Sequence, residues 1–236
     1  LEFRRVLFRS GQILSLIEYE NEEVKQENSN KNPRILSVQR DYMAGVISKD
    51  ISERILLPKE IVQAHKEGII HFHDMDYFAN HMANCSLVNL EDMLQNGTVI
   101  SGVGIDKPKS FRTACTIASQ IVAQVASSQY GGQTISLSHL VPFVEISRQK
   151  IKKELKEELQ SQNIEISEEK FNNLVETKVK REIDDGIQII QYQLITLQTT
   201  NGQAPFVSVM MYLNEVPENE RDDLALLIES MLNQRI

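Results

Sequence analysis

The sequence predicts an α/β protein that is largely helical and contains a few buried strands. Two long segments, near 139–160 and 167–198, carry apolar residues three or four apart, which is typical of amphipathic helices. A third segment, "FVSVMMYL" (206–213), is apolar at nearly every position and predicts a central strand buried on both faces. No repeat and no low-complexity linker interrupts this pattern.

The N-terminal region begins with "LEFRRVLFRS", which is basic and apolar and differs in character from the acidic stretch after it. We assign residues 1–10 to a foreign or unassigned segment and exclude them from the fold, because they contain neither a long apolar region nor a small-residue cleavage site. Residues 11–28 then carry apolar side chains at helical spacing and predict a surface helix, which the polar stretch 27–33 ends.

Two further helices are predicted before the chain changes character. One covers residues 38–56, and the next, "KEIVQAHKEG", begins with Pro58 as its first residue and ends at Gly68. In the stretch 69–77 the histidines alternate with other side chains, which predicts a strand with the histidines on one face. A short helix, "LVNLEDMLQNG" (87–97), comes next.

The remaining segments alternate between loops and helices. "ISGVGIDKPKS" (100–110) predicts a loop, and the apolar stripe from Ser110 onward predicts a helix that ends in "SSQYGGQT" (127–134). The paired glycines there indicate a tight turn or a close backbone approach. "TTNGQAPF" (199–206) predicts a loop, and 221–236 predicts an amphipathic helix without a cap signal, so we expect a chain that is cut off rather than finished.

Composition excludes several classes of function. The 236 residues include 25 basic and 33 acidic side chains, and the net charge of −8 argues against a general nucleic-acid surface, though not against a nucleotide site. No apolar run approaches the roughly 20 residues that cross a bilayer. Cys85 and Cys115 are too few for a disulfide framework or a four-thiolate zinc site, which favours a reduced, cytoplasmic compartment.

The stretch "GIIHFHDMDYFANHMANC" (68–85) is the richest in reactive side chains and allows three interpretations. His71 and His73 would share a strand face, but no familiar metal-binding spacing supplies the third ligand that a metal site needs. Hydrogen-bonded histidines in a domain interior, and the floor of a polar pocket that holds a phosphate or sugar, are the other two interpretations, and each is favoured over a metal site.

The other candidates are weak when each is taken alone. The default interpretation of both cysteines is structural: Cys85 as a buried thiol and Cys115 as part of a helical core stripe. "GIDKPKS" (104–110) fits a nucleotide loop or an ordinary solvated loop. "QYGGQT" lacks the remaining residues of a P-loop, and the lysines around Lys150 fit a solvated helix face.

Taken together and in order, several strings resemble one family. They are "QRDYMAGVISKDI" (39–51), "AHKEGIIHFHDMDY" (64–77), "NCSLVNLEDMLQNG" (84–97), "KPKS" (107–110), "IASQIVAQVASSQYGGQT" (117–134) and "NGQAPFVSV" (201–209). From about Ile13 to the end, the chain resembles the N-terminal portion of the anaerobic (class III) ribonucleoside-triphosphate reductases.

The resemblance implies a glycyl-radical enzyme that reduces ribonucleoside triphosphates to 2′-deoxyribonucleoside triphosphates, with formate as reductant. It implies the N-terminal portion of a ten-stranded α/β barrel, within residues 11–236, with helices for effector binding and dimerisation. It further implies a cytoplasmic homodimer, control by dNTP and ATP effectors, and a radical-SAM activating enzyme as partner.

The resemblance also implies roles for individual residues. Cys85 would lie on the first barrel strand and donate a hydrogen atom during reduction at C2′ of the ribose. His71, Phe72 and His73 would contact the substrate nucleotide. The effector site at the dimer interface would contain Asp106, Lys109, Gln120 and Lys150.

The chain departs from the family pattern in four respects. Cys115 does not match the second cysteine, which becomes the thiyl radical. The radical-storing glycine, the four-cysteine zinc site and the N-terminal ATP cone have no match either. We therefore expect a fragment with about half a barrel, no metal, and no turnover by itself.

Two alternatives stay open. One is a nucleotide-binding dimerisation or regulatory module without catalysis, which the reading frame beyond Ile236 would distinguish from the enzyme. The other is a different glycyl-radical enzyme, such as a formate-lyase relative, although those lack the context of "QYGGQT".

Overall fold

A computed structural model describes residues 34–197, 199 and 205–235, together with residues 11, 14, 15, 17 and 18. The chain forms two compact units. Among the described residues, the first unit runs to Asn84 and includes Ser127–Gly131, and the second comprises Cys85–Ala126, Gly132–Leu197 and the residues from Pro205 onward. The assigned segment 1–10, most of the predicted helix 11–28 and most of the predicted loop 199–206 lie outside the described residues.

The first unit contains the two predicted helices. Helix α1 (Leu36–Ile51) continues into a π-helical turn (Ser52–Leu56), and α2 (Lys59–Lys66) comes after it. Pro58 occupies the N-cap of α2, one position earlier than predicted, and its φ of −56° suits a helix start. Gly68 follows the end of α2 and has a φ of 75°, a left-handed conformation that suits its predicted role of ending the helix.

The prediction of a strand over residues 69–77 is wrong. The segment contains bends and a single 3-10 turn, Met75–Tyr77, and only Met75 is buried. The physical reason lies at Asp74, which adopts the left-handed conformation with φ of 56° and ψ of 38°. Aspartate tolerates that conformation better than most residues, and one such residue redirects the chain and ends the alternation of an extended strand.

The second unit contains most of the regular structure. In chain order its elements are β1 (Ser86–Leu87), α3 (Leu90–Gln95), β2 (Thr98–Ile100), β3 (Val103–Ile105), α4 (Phe111–Ala126), β4 (Gln133–Ser136), α5 (Val141–Ser161), α6 (Glu168–Thr196), β5 (Val207–Met210) and α7 (Arg221–Asn233). The helices agree with the sequence periodicity. None of the described helices is long and apolar enough to cross a membrane.

Strands β1, β4 and β5 form a parallel sheet in the order β1-β4-β5. Among the described residues β5 therefore lies at an edge, whereas the sequence predicted a central strand. The central strand is β4, which was predicted only as the end of a turn because its four residues show no apolar pattern.

Strands β2 and β3 pair as an antiparallel hairpin where the sequence predicted a loop. Ser101 and Gly102 connect them with φ values of 51° and 80°. Positive φ at both central residues is the geometry of the type I′ turn, whose twist matches that of the paired strands.

The parallel sheet has one covered and one open face. On the covered face Val88, Gln133 and Ile135 are buried. On the other face Leu87 is 81% exposed, and Ser208 and Met210 are also exposed. We call this second surface the open face.

The core of the second unit forms where α4 packs against α6. Phe111 and Cys115 on α4 and Ile183 and Ile187 on α6 are buried together. Burial raises the pKa of the Cys115 thiol, in agreement with its predicted role in core packing. Gly186 lies at the contact, where a Cβ would stand 2.5 Å from Cε1 of Phe111 and 3.0 Å from Sγ of Cys115.

A half-buried cation, Arg148, joins three helices around this core. Nε of Arg148 on α5 donates to Glu176 on α6 (3.0 Å), and Nη1 donates to Asp223 on α7 (3.0 Å). The hydrogen bond to Asp223 raises the pKa of Arg148, so the guanidinium stays charged. A fork with several donors is suited to holding separate helices in one arrangement.

Substitution of Gly186 by alanine tests the close packing of α4 and α6. We expect Gly186→Ala to lower the free energy of unfolding by about 1–2 kcal/mol, because overpacking outweighs the better helix propensity of alanine. Urea unfolding followed by circular dichroism measures the change. Gly45→Ala is the matched control, since that helical site offers its Cβ ordinary contacts at 3.6 Å; equal stability for the two variants would contradict the packing argument.

Candidate functional site

Three imidazole rings lie close together in the first unit. The ring centroids of His65 and His71 are 5.6 Å apart, and those of His71 and His73 are 5.7 Å apart. The backbone N–H of Phe72 donates to Nδ1 of His65 (3.2 Å), which fixes His65 as an acceptor at that nitrogen. His71 and His73 are exposed. We call His65, His71 and His73 the histidine cluster.

The carboxylate of Asp74 contacts the histidine cluster at His73. One oxygen of its carboxylate, Oδ2, pairs with Nδ1 of His73 and accepts a hydrogen bond from the Tyr130 hydroxyl. The Tyr130 ring stacks on Tyr77 with centroids 4.0 Å apart and an interplanar angle of 1°. Burial, together with the hydrogen bond to Asp74, raises the pKa of Tyr130.

The sequence analysis missed Tyr130. Its contact with Asp74 joins residues 56 positions apart, so no local spacing could indicate it. The nearest signal was the glycine pair directly after Tyr130 in "QYGGQT", which indicated a close backbone approach.

That close approach is present in the first unit. The backbone N–H groups of Tyr130 and Gly131 donate to the carbonyl oxygens of Ala83 (3.2 Å) and Asn84 (2.8 Å). A Cβ on Gly131 would stand 2.4 Å from the Asn84 carbonyl oxygen. Only glycine fits there without moving the backbone, which places Tyr130 beside the loop of the histidine cluster.

The three residues predicted to contact a substrate differ in their exposure and in what they pack against. His71 and His73 are adjacent and exposed, and imidazoles in this arrangement can donate to the oxygens of an anion. Phe72 is half-buried and packs edge-to-face against Phe78, with centroids 5.5 Å apart. Among the described residues there is no group of three or more His, Cys, Asp or Glu side chains that could hold a metal ion.

Cys85 is exposed and directly precedes β1 in the second unit. The default interpretation of a buried thiol is therefore wrong, because the covered face of the sheet takes Val88 and leaves the thiol outside. The histidine cluster belongs to the first unit and Cys85 to the second.

A cavity of about 460 Å³ lies at the carboxyl ends of the parallel strands, where α/β proteins bind ligands. Leu87, Thr134 and Met210 contribute apolar and hydroxyl surface to its wall. Polar groups include Glu215, whose Oε2 accepts a hydrogen bond from Oγ of Ser138 (2.9 Å). Because Leu87 and Met210 also belong to the open face, the cavity lies beside that face.

The four residues predicted to bind an effector lie in the second unit. Asp106 comes after β3, Lys109 precedes α4, Gln120 lies on α4, and Lys150 lies on α5; all four are exposed. Lys150 forms an ion pair with Glu154 (3.9 Å), one turn away on the same helix. Two exposed ammonium groups can neutralise phosphate oxygens, but the structure records no direct contact among these four side chains.

A sequence model described as anaerobic ribonucleoside-triphosphate reductase matches residues 27–236. Proteins of that name are 40% identical over 200 residues in Haemophilus influenzae, 38% over 228 residues in Escherichia coli and 38% over 205 residues in phage T4. These alignments cover 84%, 95% and 84% of this chain but only 27%, 30% and 32% of the relatives. The chain thus spans about a third or less of their length.

Two crystal structures of the anaerobic ribonucleotide reductase from Thermotoga maritima share the fold. The structure with dATP bound in the specificity site has a TM-score of 0.54 and 18% identity, covering 93% of this chain and 37% of that one. The structure in complex with dATP and CTP has a TM-score of 0.51 and 19% identity, covering 82% and 32%. At these identities the likeness concerns the fold alone.

Alkaline titration tests the contact between Tyr130 and Asp74. Because the pKa of Tyr130 is raised in the folded chain, its contribution to stability is present below the ordinary tyrosine pKa and is lost as the pH rises through the folded value. We expect the absorbance of phenolate near 295 nm to show one late-titrating tyrosine, which Tyr130→Phe removes.

Tyr212→Phe is the control, because it removes an exposed phenol and should leave the late step in place. A late step that survives Tyr130→Phe would show that another tyrosine produces it.

Proposed function

Because this chain belongs to the anaerobic ribonucleoside-triphosphate reductase family, we propose that it forms the N-terminal part of an enzyme that makes 2′-deoxyribonucleoside triphosphates. Formate supplies two electrons and becomes carbon dioxide, while the 2′-hydroxyl leaves as water. The parallel order β1-β4-β5 and the likeness to the Thermotoga maritima fold support a place for these strands in a glycyl-radical-type barrel.

The observation that carries this proposal is the position of Cys85. It is exposed at the start of a strand, next to the open face and outside the packed core. A thiol suits hydrogen-atom donation because its S–H bond is weak enough to give a hydrogen atom to a carbon radical. In this proposal Cys85 donates that atom at C2′ of the ribose.

The histidine cluster binds the triphosphate in the same proposal. His71 and His73 present exposed imidazoles that donate to phosphate oxygens, and Phe72 anchors the segment by packing on Phe78. Asp74 orients His73 through its Nδ1, which leaves Nε2 to face a ligand.

Effector control is proposed at Asp106, Lys109, Gln120 and Lys150. The lysines pair with the phosphates of a dNTP or of ATP, and Asp106 accepts from its sugar or base. The dATP in the specificity site of the Thermotoga maritima enzyme supports such a site, which we place at the interface of a homodimer. A glycyl radical, generated by a radical-SAM activating enzyme, would form the thiyl radical on the family's second cysteine that abstracts the first hydrogen atom.

By itself the 236-residue chain is expected to give no turnover. The family resemblance implies a second reactive cysteine, and Cys115 is fully buried in a helical core with a raised pKa. The runner-up, a regulatory module that binds nucleotides without catalysis, shares the effector site and differs only in the role of Cys85.

Calorimetric titration with dATP and dTTP tests the effector site. We expect Lys109→Ala to weaken binding by about ten- to a hundredfold, the effect of losing one charge-assisted hydrogen bond to phosphate. Lys178→Ala is the matched control, since Lys178 is an exposed lysine of the same unit that pairs with Glu158 (3.6 Å). Equal affinities for wild type and Lys109→Ala would remove Lys109 from the site.

Alkylation of Cys85 by iodoacetamide tests the substrate site. A bound ribonucleoside triphosphate should shield the thiol, so saturating CTP should slow alkylation by about tenfold at ~90% occupancy, because only unbound chains react. Peptide mapping distinguishes Cys85 from the buried Cys115, and inorganic tripolyphosphate, which lacks a nucleoside, is the control. An unchanged rate with CTP would contradict a nucleoside at Cys85.

A further inference from the structure

Phe206 and Cys85 each directly precede an outer strand of the three-stranded parallel sheet. The pairing sets Leu87 opposite Thr134 and Thr134 opposite Ser208. At the amino ends of the three strands, the backbone N–H of Ser86 donates to the carbonyl of Gly132 (3.2 Å). The backbone N–H of Gln133 donates to the carbonyl of Phe206 (2.9 Å). Cys85, Gly132 and Phe206 each directly precede the first paired residue of their strand, and we call these three residues the row before the pairing.

This row belongs to the open face. Side chains two residues apart on a strand point to the same side of a sheet, so Cys85 and Phe206 share the face of Leu87 and Ser208. Both are exposed: Cys85 is solvent-accessible, and 55% of Phe206 is exposed. The aromatic ring and the thiol are therefore both exposed on one side of the sheet.

Gly132 leaves room for the Phe206 ring over the middle strand. A Cβ at Gly132 would stand 2.7 Å from Cδ1 and 3.2 Å from Cε1 of Phe206, which shows that the ring leans over the middle strand. The middle strand that the ring covers is the one that pairs with β1, the strand that Cys85 directly precedes. Any side chain at position 132 would occupy the space that the ring fills.

A half-exposed phenylalanine and an exposed thiol on one face of a sheet have the chemistry of a nucleoside subsite. An aromatic ring packs against the π-face of any base and against the C–H groups of a ribose, and it offers no group that competes for a hydrogen atom. With ribose C2′ at Cys85, the rest of the nucleoside would extend over the middle strand, which the ring covers.

We propose that Phe206 is a substrate-binding residue, whose ring is the apolar surface against which the nucleoside lies while its ribose faces Cys85. Gly132 keeps the space for that ring. This inference rests on the proposed function and adds to it a residue that contacts the nucleoside and a glycine that positions it. Because a ring accepts every base, the contact sets affinity rather than base choice.

The test compares CTP protection of Cys85 from iodoacetamide in wild type and variants. The CTP concentration that halves the alkylation rate gives a dissociation constant for this site alone, separate from any effector site. We expect Phe206→Leu to raise that constant by about ten- to a hundredfold, the usual effect of losing one stacking ring. Phe206→Tyr keeps the ring and should stay near wild type.

Two further variants sharpen the comparison. Tyr212→Leu is the matched control, since it removes another exposed aromatic ring, 63% exposed, outside this row, and should change nothing. Gly132→Ala should weaken protection as Phe206→Leu does, because its methyl group displaces the ring. Circular dichroism checks the fold of each variant, and Phe206→Leu decides the test if Gly132→Ala does not fold.

The outcomes separate this inference from the proposed function. If CTP protects wild type and Phe206→Leu equally, the role of Phe206 is overturned while a substrate site at Cys85 stands. If CTP protects neither, the substrate site fails and the inference fails with it. Protection of wild type that weakens in Phe206→Leu and Gly132→Ala, but not in Tyr212→Leu, supports both.

Discussion

Strand β4 hydrogen-bonds to β1 along one edge and to β5 along the other, and the arrangement of the open face depends on these two pairings. Gln133 ties the strand to the core as well, because its Nε2 donates to the carbonyl of Val122 on α4 (2.9 Å). The packing of α4 against α6 thus positions β4, and β4 positions its neighbours. The register that results decides which side chains stand beside the thiol of Cys85.

The helices could be predicted from sequence because their burial pattern has a strong local period. In α6, for example, Val179, Ile183 and Ile187 recur every four residues and are all buried. The strands could not be predicted as well. β4 has four residues and takes its identity from partners far along the chain, and the alternation in 69–77 was cancelled by the left-handed conformation of Asp74.

The candidate site was predictable only in part, for a similar reason. Residue types and resemblance drew attention to Cys85 and to the histidines, but the contacts that arrange them are long-range. Tyr130 reaches Asp74 across 56 positions, and Phe206 reaches Gly132 only through the sheet register. The paired glycines were the one local signal of both contacts. Each lacks a side chain where another residue comes close: Asn84 at Gly131 and Phe206 at Gly132.

The order of the strands also has a consequence for how the chain folds. β1 and β5 each join β4 across long intervening segments that contain helices, so the sheet has a high contact order. Closing such segments costs entropy before any pairing is gained, whereas the helices form from local contacts. The row of Cys85, Gly132 and Phe206 is complete only once β5 has docked, so it depends on the slowest contacts of the sheet rather than on the local contacts of the helices.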